Sequence, residues 1–215
     1  MDKNLTLNLV RVTEIAAIKT SYEYGKGDKN AADQAAVDGM RKTFDEIDMT
    51  GTVVIGEGEM DEAPMLYIGE KVGKCKDGNI EVDIAVDPVD GTELIAKGLD
   101  NSISVLAVGP KGSLLHAPDM YMEKLVSGPE GVGVLNIDAP IEENVKNLAK
   151  ALNKDVQDIV VAILERERHE DIINRVRKTG AKVKLFKAGD IVNAINTCFS
   201  ESGTHMMAGI GRAHV

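Results

Sequence analysis

Two carboxylates, Asp87 and Asp90, follow a short apolar run and have the spacing of a metal and phosphate site. The run reads VDIAVDPVDGT over residues 82–92. It predicts a buried strand that ends at the Asp-Pro step, because proline cannot donate to a strand ladder and holds the preceding residue extended. A tight D-G-T turn and the start of a helix follow. Carboxylates bind hard cations and helix starts bind phosphate, so we predict a metal–phosphate site rather than an ordinary Asp-rich turn.

A second acidic segment follows another predicted strand, at residues 52–55. It reads GEGEMDE over residues 56–62. A solvated acidic loop accounts for some of these residues. Glu57, however, stands at the carboxyl end of its strand, as Asp87 does, and ligands of open α/β sheets bind at such ends. If the two strands are neighbours, Glu57, Asp87 and Asp90 form one metal-binding cluster.

A further acid, Asp33, lies near the start of a predicted helix that begins at Ala31 or Asp33. Acidic residues are common in the first turn of a helix because they interact favourably with the helix dipole. From its position alone, Asp33 is therefore interpreted as a capping residue more readily than as a ligand.

The elements that must position these side chains follow an α/β pattern. An amphipathic helix opens the chain, with Leu5, Leu9, Val12 and Ala16 at helical spacing. After a glycine-rich stretch at 128–138, a βαβα alternation is typical of a parallel sheet. Its predicted elements are strands at 159–164 and 183–186 and helices at 169–178 and 190–199. We predict an α/β fold with an N-terminal metal- and phosphate-binding domain at 1–135 and a second unit at 136–215.

Basic residues follow the strands of this second unit. Arg166 and Arg168 come directly after one strand, and the segment KAGD at 187–190 joins the next strand to its helix. Arginine matches the geometry of a phosphate with two parallel hydrogen bonds. Glutamates alternate with these arginines, so composition alone favours a solvated charged segment over a phosphate site.

Composition excludes several classes of protein. The 215 residues carry a net charge of −10, which argues against binding nucleic acid through phosphate contacts. No apolar run approaches the roughly 20 residues of a membrane span, and the first residues lack the layout of a signal peptide. The two cysteines are far apart and have no metal-type spacing. We predict a cytoplasmic protein with no nucleic-acid or membrane partner.

The longer motifs resemble a known family. The D-P-V-D-G-T segment resembles the signature of the lithium-sensitive, metal-dependent sugar phosphatase superfamily. GKGDKNAAD at 25–33, VVIGEGEMDEAPMLYIGE at 53–70 and APDMYMEKL at 117–125 are similar to class II fructose-1,6-bisphosphatases. The resemblance covers nearly the whole chain. It implies a layered α/β sugar-phosphatase fold and hydrolysis of the 1-phosphate of fructose 1,6-bisphosphate to fructose 6-phosphate in gluconeogenesis.

The resemblance also implies roles for individual residues. Asp33, Glu57 and Asp87 match metal ligands for Mg²⁺ or Mn²⁺. The phosphate-binding turn matches Asp90, Gly91 and Thr92. The positions that match substrate-binding residues are Tyr121, Arg166, Glu167, Arg168, Ala188, Gly189 and Asp190, of which Glu167 and Ala188 depart from the usual proline and aspartate.

The implied mechanism is metal-assisted hydrolysis that needs no Cys, Ser or His nucleophile. The metal held by the three acids would polarise the phosphoryl oxygens and lower the pKa of a bound water. The Thr92 hydroxyl would orient that water, and the N–H groups of the turn would hold the phosphate. Asp87, Asp90, Thr92 and Glu57 are thus the predicted catalytic residues.

A departure from the family pattern occurs after Gly209-Ile210-Gly211. Family members continue with a proline and a metal-binding glutamate, whereas this sequence reads RAHV at 212–215. The resemblance therefore implies a truncated or frame-shifted member with an incomplete second unit, one missing ligand and impaired activity. The intact family architecture would be a homo-oligomer. Two alternatives stay open: a phosphatase for sedoheptulose bisphosphate or an inositol phosphate, and an inactive fragment that only folds or assembles.

Overall fold

The computed structural model describes residues 3–57, 65–118 and 120–212. They form two compact units that divide between Met120 and Tyr121. Each unit carries a four-stranded sheet with both parallel and antiparallel pairs, together with helices. This architecture confirms the predicted α/β class. Within the described residues, none of the helices has the length and apolar composition needed to cross a membrane.

The first unit has two long helices followed by a sheet in the order β2-β1-β3-β4. The two central strands, β1 and β3, run parallel, and the pairs β1–β2 and β3–β4 are antiparallel. The elements are α1 Lys3–Ser21, α2 Lys29–Phe44, β1 Thr50–Ile55, β2 Lys71–Val72, β3 Glu81–Asp90, α3 Thr92–Ala96 and β4 Ile103–Pro110.

Apolar spacing explains how these helices pack. Leu5, Leu9, Val12 and Ala16 recur on one face of α1, and all four are buried in the core of the first unit as predicted. Aliphatic residues from α2 and from the inner face of the sheet complete this core. The sheet is thereby fixed against the helices, which holds the strand ends in place.

The start of α2 corrects one prediction. The N-cap is Asp28, whose carboxylate accepts the backbone N–H groups of Asn30 and Ala31 at 3.0 Å each. The interpretation of Asp33 as a capping residue was therefore wrong. Asp33 lies in the second turn of the helix, where the backbone N–H groups already have helical partners, and its carboxylate is not needed to cap the helix.

Strand β3 also differs from expectation, because it continues through Pro88 to Asp90. The prediction that it ends at Asp87-Pro88 was wrong. Its pairing with β1 stops at Ala85, and its register against β4 shifts between Asp87 and Asp90. Pro88 therefore lies at an irregularity where no ladder hydrogen bond is required of it, which is where a strand tolerates proline.

The second unit contains the predicted βαβα alternation. Its sheet has the order β5-β8-β6-β7, with β6 parallel to both β7 and β8. Its apolar core lies between this sheet and helices α4 and α5. The elements are β5 Tyr121–Ser127, α4 Ile141–Ala151, β6 Val160–Leu164, α5 Glu170–Lys178, β7 Lys182–Phe186, α6 Asp190–Asn196 and β8 Met206–Arg212.

The division between the units falls earlier than the sequence suggested. We predicted a boundary between residues 135 and 136, whereas β5 belongs to the second unit. The reason is that β5 pairs antiparallel with β8 along its whole length, from Tyr121 opposite Arg212 to Ser127 opposite Met206. That the two units are separate domains, as the sequence analysis proposed, stays a prediction.

An ion pair joins the two helices that cover this sheet. Arg175 on α5 donates from Nε and Nη2 to the two carboxylate oxygens of Glu142 on α4, each at 2.8 Å. The guanidinium lowers the pKa of Glu142 from its ordinary value of 4.5 to about 2. A carboxylate whose pKa is lowered by folding stabilises the protein fully at pH values above its unfolded-state pKa. This stabilisation is lost as the pH falls toward and through the folded-state pKa.

We expect Glu142→Gln to lower the free energy of unfolding at pH 7 by less than about 1 kcal/mol, because both side chains are about one-third exposed. The difference from the parent chain should shrink between pH 4.5 and pH 2. Urea unfolding at several pH values would measure it, with Glu143→Gln on the same helix as the matched control. A difference that stayed constant down to pH 2 would contradict the role of this pair.

Candidate active site

Two predicted acids come together at one edge of the first sheet. Strands β1 and β3 are parallel neighbours, and their last paired residues are Ile55 and Ala85. Glu57 and Asp87 each lie two residues beyond that last pair. The expectation that the two strands are neighbours is confirmed, although β3 itself continues to Asp90. The carboxyl ends of parallel strands are where ligands of such sheets bind.

The electrostatics of Asp87 reveal which groups surround it. Burial first, and then the nearby charges of Asp90, Glu57 and Asp33, together raise the pKa of this carboxyl to about 8. The side chain still keeps part of its surface exposed, so a ligand can reach it. The structure therefore places the three acids predicted as metal ligands and Asp90 near one another: Asp33 on α2, Glu57 just after β1, and Asp87 and Asp90 on β3.

The donor chemistry of this cluster fits a hard cation. Its side chains offer carboxylate oxygens, which Mg²⁺ and Mn²⁺ prefer, and the repulsion at Asp87 is of the kind that a cation relieves. In the part of the chain that the structure describes, no three acidic, His or Cys side chains form a ready-made metal site.

The D-G-T turn is shaped by its glycine. Gly91 has φ 95° and ψ 46°, a left-handed conformation that side chains rarely adopt. The Ser102 hydroxyl donates to the carbonyl of Asp90 at 3.0 Å, and the Leu94 N–H donates to that of Gly91 at 2.9 Å. The following helix, α3, starts at Thr92 and is only five residues long. The backbone N–H groups of the turn, rather than a helix dipole, are therefore the candidates for holding a phosphate.

The Glu57 backbone is held by a segment that follows the acidic loop. Its N–H donates to the carbonyl of Leu66 at 2.9 Å. The carboxylate of Glu70, itself paired with Arg41 of α2, accepts the N–H of Leu66. Glu70 is buried, so this chain of contacts fixes Leu66 and, through it, Glu57. The other acids predicted in that loop, Glu59, Asp61 and Glu62, lie outside the described residues.

The second unit holds the predicted phosphate-binding residues. The guanidinium of Arg168 lies 5.1 Å from the centre of the Tyr121 ring, and its Nε donates to the carbonyl of Ile210 at 2.9 Å. Arg166 donates to the carbonyls of Glu165 and Lys187 at 2.9 and 2.8 Å. These arginines are exposed but oriented by backbone carbonyls, which distinguishes them from the freely solvated charged segment that composition favoured.

The segment before α6 is also ordered by specific contacts. Gly189 has φ 90° and caps the helix in a left-handed conformation. Asp190, its first residue, lies 3.2 Å from Nζ of Lys124, and both side chains are largely buried. Ala188 precedes this turn, and Glu167 is exposed between the two arginines. A cavity of about 580 Å³ in this unit is lined by residues that include Lys124, Arg168, His169 and Arg175.

Comparison with known proteins identifies the family. A family model described as "Bacterial fructose-1,6-bisphosphatase, glpX-encoded" matches residues 3–214. The chain belongs to this family. The resemblance drawn from the motifs is thereby confirmed.

Curated relatives of this family match the chain along almost its whole length. Three of them carry the name D-fructose 1,6-bisphosphatase class 2/sedoheptulose 1,7-bisphosphatase. The relative from Synechococcus sp. (strain JA-2-3B'a(2-13)) is 47% identical over 99% of this chain and 64% of its own length. Those from Synechocystis sp. (strain ATCC 27184 / PCC 6803 / Kazusa) and Gloeobacter violaceus (strain ATCC 29082 / PCC 7421) are 45% and 44% identical over 99% of this chain and cover 65% and 64% of the relatives. The chain thus spans somewhat less than two-thirds of the length of these class II fructose-1,6-bisphosphatases.

Sequence reasoning missed three residues that position others in this member of the family. Glu70 supports Leu66 behind Glu57, Lys124 pairs with Asp190, and His169 is buried beside β8. Each is a single charged or polar residue without a spaced partner, so no local pattern marked it. The motifs VVIGEGEMDEAPMLYIGE and APDMYMEKL contain Glu70 and Lys124, so they carried a signal that could have found two of the three.

We expect Gly56→Ala to disturb both stability and metal response. A Cβ at this position would lie 2.2 Å from the carbonyl oxygen of Leu66 and 2.6 Å from Cγ1 of Val53. The backbone must shift, which typically costs about 1–3 kcal/mol in a packed site. Thermal melts should show a fall of roughly 3–10 °C, together with a smaller rise on adding Mn²⁺ because Glu57 is displaced.

The matched control is Gly39→Ala in α2. There the new Cβ would meet the flexible Lys19 side chain at 3.2 Å, so the protein should keep its melting temperature within a few degrees and its full response to Mn²⁺. An unaltered response to Mn²⁺ in Gly56→Ala would mean that Glu57 is not held by this contact or does not bind the metal.

Proposed function

We propose that this chain is a metal-dependent phosphomonoesterase that removes the 1-phosphate of fructose 1,6-bisphosphate to give fructose 6-phosphate. The observation that carries the proposal is the approach of Asp33, Glu57 and Asp90 to Asp87 at the ends of two parallel strands. Membership of a fructose-1,6-bisphosphatase family supports the choice of substrate. Formation of fructose 6-phosphate belongs to gluconeogenesis, and we infer the cytoplasm as its place and a homo-oligomer as its assembly.

In the first unit, one set of residues would bind the metal and another would bind the phosphate. Asp33, Glu57 and Asp87 would hold Mg²⁺ or Mn²⁺, which as a Lewis acid neutralises phosphoryl charge and lowers the pKa of bound water. The N–H groups of the Asp90-Gly91-Thr92 turn would bind the phosphoryl oxygens. The Thr92 hydroxyl would orient the attacking water. Phosphoryl transfer asks mainly for positioning and charge neutralisation, so no covalent nucleophile is needed.

The second unit carries its own residues suited to a sugar phosphate. Arg168 and Arg166 supply positive charge and the fork geometry that suits a phosphate group. The Tyr121 ring lies against the Arg168 guanidinium, 5.1 Å from its centre. The turn Ala188-Gly189-Asp190 presents a carboxylate held by Lys124, which is suited to accept hydrogen bonds from sugar hydroxyls.

A second candidate substrate is sedoheptulose 1,7-bisphosphate. The relatives that resemble the chain carry both activities in their names, and both substrates are ketose bisphosphates with the same chemistry at the 1-phosphate. An inositol monophosphate is less favoured because it offers no second phosphate to the arginines. A catalytically inactive fragment is the remaining alternative.

The test is release of inorganic phosphate from fructose 1,6-bisphosphate, sedoheptulose 1,7-bisphosphate and inositol 1-phosphate. Each is assayed with Mn²⁺, with Mg²⁺ and with EDTA. The proposal predicts turnover of the ketose bisphosphates that EDTA abolishes. Turnover that persists in EDTA would refute the metal mechanism, and the absence of turnover on all three would favour the inactive fragment.

A further inference from the structure

The second sheet opens between two of its parallel strands. Strands β6 and β8 pair only at Val161 with Met206 and Ala162 with Met207. Beyond these pairs β6 continues to Leu164 and β8 continues to Arg212. The chain leaves β6 toward β7 on one side, and returns through α6 to β8 on the other. Ligands of parallel sheets bind in the crevice at the carboxyl ends of strands related in this way.

The imidazole of His169 bridges this opening. The residue is 1% exposed. Its Nδ1 lies 2.7 Å from the carbonyl oxygen of Leu164 on β6, and its Nε2 accepts the backbone N–H of Ile210 on β8 at 2.8 Å. Both contacts are satisfied by the tautomer with a proton on Nδ1 and a lone pair on Nε2. The carbonyl oxygen of Ile210 is also 3.1 Å from Nε2, and it receives its hydrogen bond from Arg168 instead. The ring therefore takes the place of the missing strand-to-strand hydrogen bonds.

Arg168, which precedes His169 in the chain, holds the other backbone polar group of Ile210. Its Nε donates to the carbonyl of Ile210 at 2.9 Å, so both backbone groups of Ile210 are bound by consecutive side chains. Gly209 permits the close approach, since a Cβ there would lie 3.2 Å from Nε2 of His169. The direction of the Arg168 guanidinium is thus coupled to the position of β8 through Ile210, which the His169 ring also holds.

We propose that His169 is a positioning residue for substrate binding. By bridging Leu164 and Ile210, it sets the separation of β6 and β8 and so aims the Arg168 guanidinium at an anionic group of the substrate. His169 and Arg168 line the same cavity. The inference rests on the proposed function for the identity of that anion, a sugar phosphate, and it adds a residue to which the resemblance assigned no role.

The experiment compares His169→Leu and His169→Gln with the parent chain. Leucine fills much of the space but makes neither hydrogen bond, whereas glutamine carries an amide oxygen and an N–H donor and can restore at least one. We expect His169→Leu to raise KM for fructose 1,6-bisphosphate by about tenfold or more, because small displacements of a binding group weaken its contact strongly. The kcat value should stay within about threefold, and His169→Gln should recover much of the KM.

Val176→Ala is the matched control for a loss of packing. Val176 is fully buried on the following helix, α5, so its truncation should lower the melting temperature while leaving KM unchanged. A role limited to stability would make His169→Leu behave in the same way. A lower melting temperature with unchanged KM, or a fall in kcat alone, would overturn the proposal.

A second readout separates this inference from the proposed function. If the parent chain releases no phosphate from any bisphosphate, the proposed function fails, and positioning is then judged by binding of fructose 6-phosphate in EDTA, measured by calorimetry. Affinity at least about fivefold weaker in His169→Leu than in the parent supports the role of His169. Equal affinities, including no binding by either protein, overturn it.

Discussion

Asp87→Asn is expected to remove both the response to divalent metal and the phosphatase activity. An amide has no negative charge to offset the cation, and a metal ion contributes several kcal/mol to stabilising the transition state. Loss of about 4 kcal/mol corresponds to roughly a thousandfold in rate. In the parent chain, Mn²⁺ at about a hundred times its Kd should stabilise the fold by about 2.7 kcal/mol, a rise of roughly 5–10 °C in Tm.

The metal-free melting temperature separates this effect from damage to the fold. In the absence of metal the pKa of Asp87 is about 8, so its carboxyl is mostly uncharged at pH 7 and a neutral amide there adds no repulsion. The metal-free variant should therefore melt no lower than the parent chain. The expected pattern is an intact fold with no response to Mn²⁺, measured by thermal melts with and without the ion.

Asp83→Asn is the matched control on the same strand. The Asp83 carboxylate is buried and accepts the N–H of Gly112 at 2.7 Å and that of Leu114 at 3.4 Å. Its contacts are thus structural, and the amide variant should lower Tm while keeping the rise with Mn²⁺. A full rise with Mn²⁺ in Asp87→Asn would move the metal site away from this cluster.

Arg168→Ala is expected to raise KM for fructose 1,6-bisphosphate by roughly 10- to 100-fold, because hydrogen bonds between charged groups contribute about 1.5–3 kcal/mol each. The side chain is exposed, so Tm should change little. Inositol 1-phosphate has no second phosphate for this arginine, and its turnover should hardly change. The parent chain should accordingly prefer fructose 1,6-bisphosphate to inositol 1-phosphate.

Steady-state kinetics on both substrates would measure this difference, with Arg177→Ala as the control for loss of one positive charge. Arg177 is exposed on α5 of the same unit, and its removal should leave both KM values unchanged. Equal rates on the two substrates in the parent chain, or an unchanged KM in Arg168→Ala, would reject a role for Arg168 in binding the second phosphate.

The sequence was sufficient for the parts of the fold that local pattern determines. Helical spacing placed Leu5, Leu9, Val12 and Ala16 in the core, and the βαβα alternation predicted the parallel strands of the second unit. The approach of Glu57 to Asp87 followed from one rule about strand ends. The position of Asp33 beside them did not follow, because it depends on how α2 packs on the sheet; there only the family resemblance pointed to a ligand.

The errors came from pairing and from competing local signals. Pro88 looked like a strand terminator because the sequence does not show where the ladders on either side stop. Asp28 and Asp33 both lie near a helix start. Because Asp28 follows the glycine-rich segment Gly25–Gly27, it was assigned to the loop and Asp33 to the cap. His169 gave no signal, because its role arises only where β6 and β8 separate.

The order of strands in the second sheet has a consequence for how the chain folds as it is made. Among the described residues, strand β8 follows β5, β6 and β7 along the chain, yet it lies between β5 and β6 in the sheet. A growing chain can close the β6–α5–β7 segment early, since those contacts are local. Strand β5 must wait for β8 to be synthesised, and until then its unpaired edge can pair with other chains. We expect insertion of β8 to be the slow, late event of folding, and the stage at which a nascent chain most needs a chaperone.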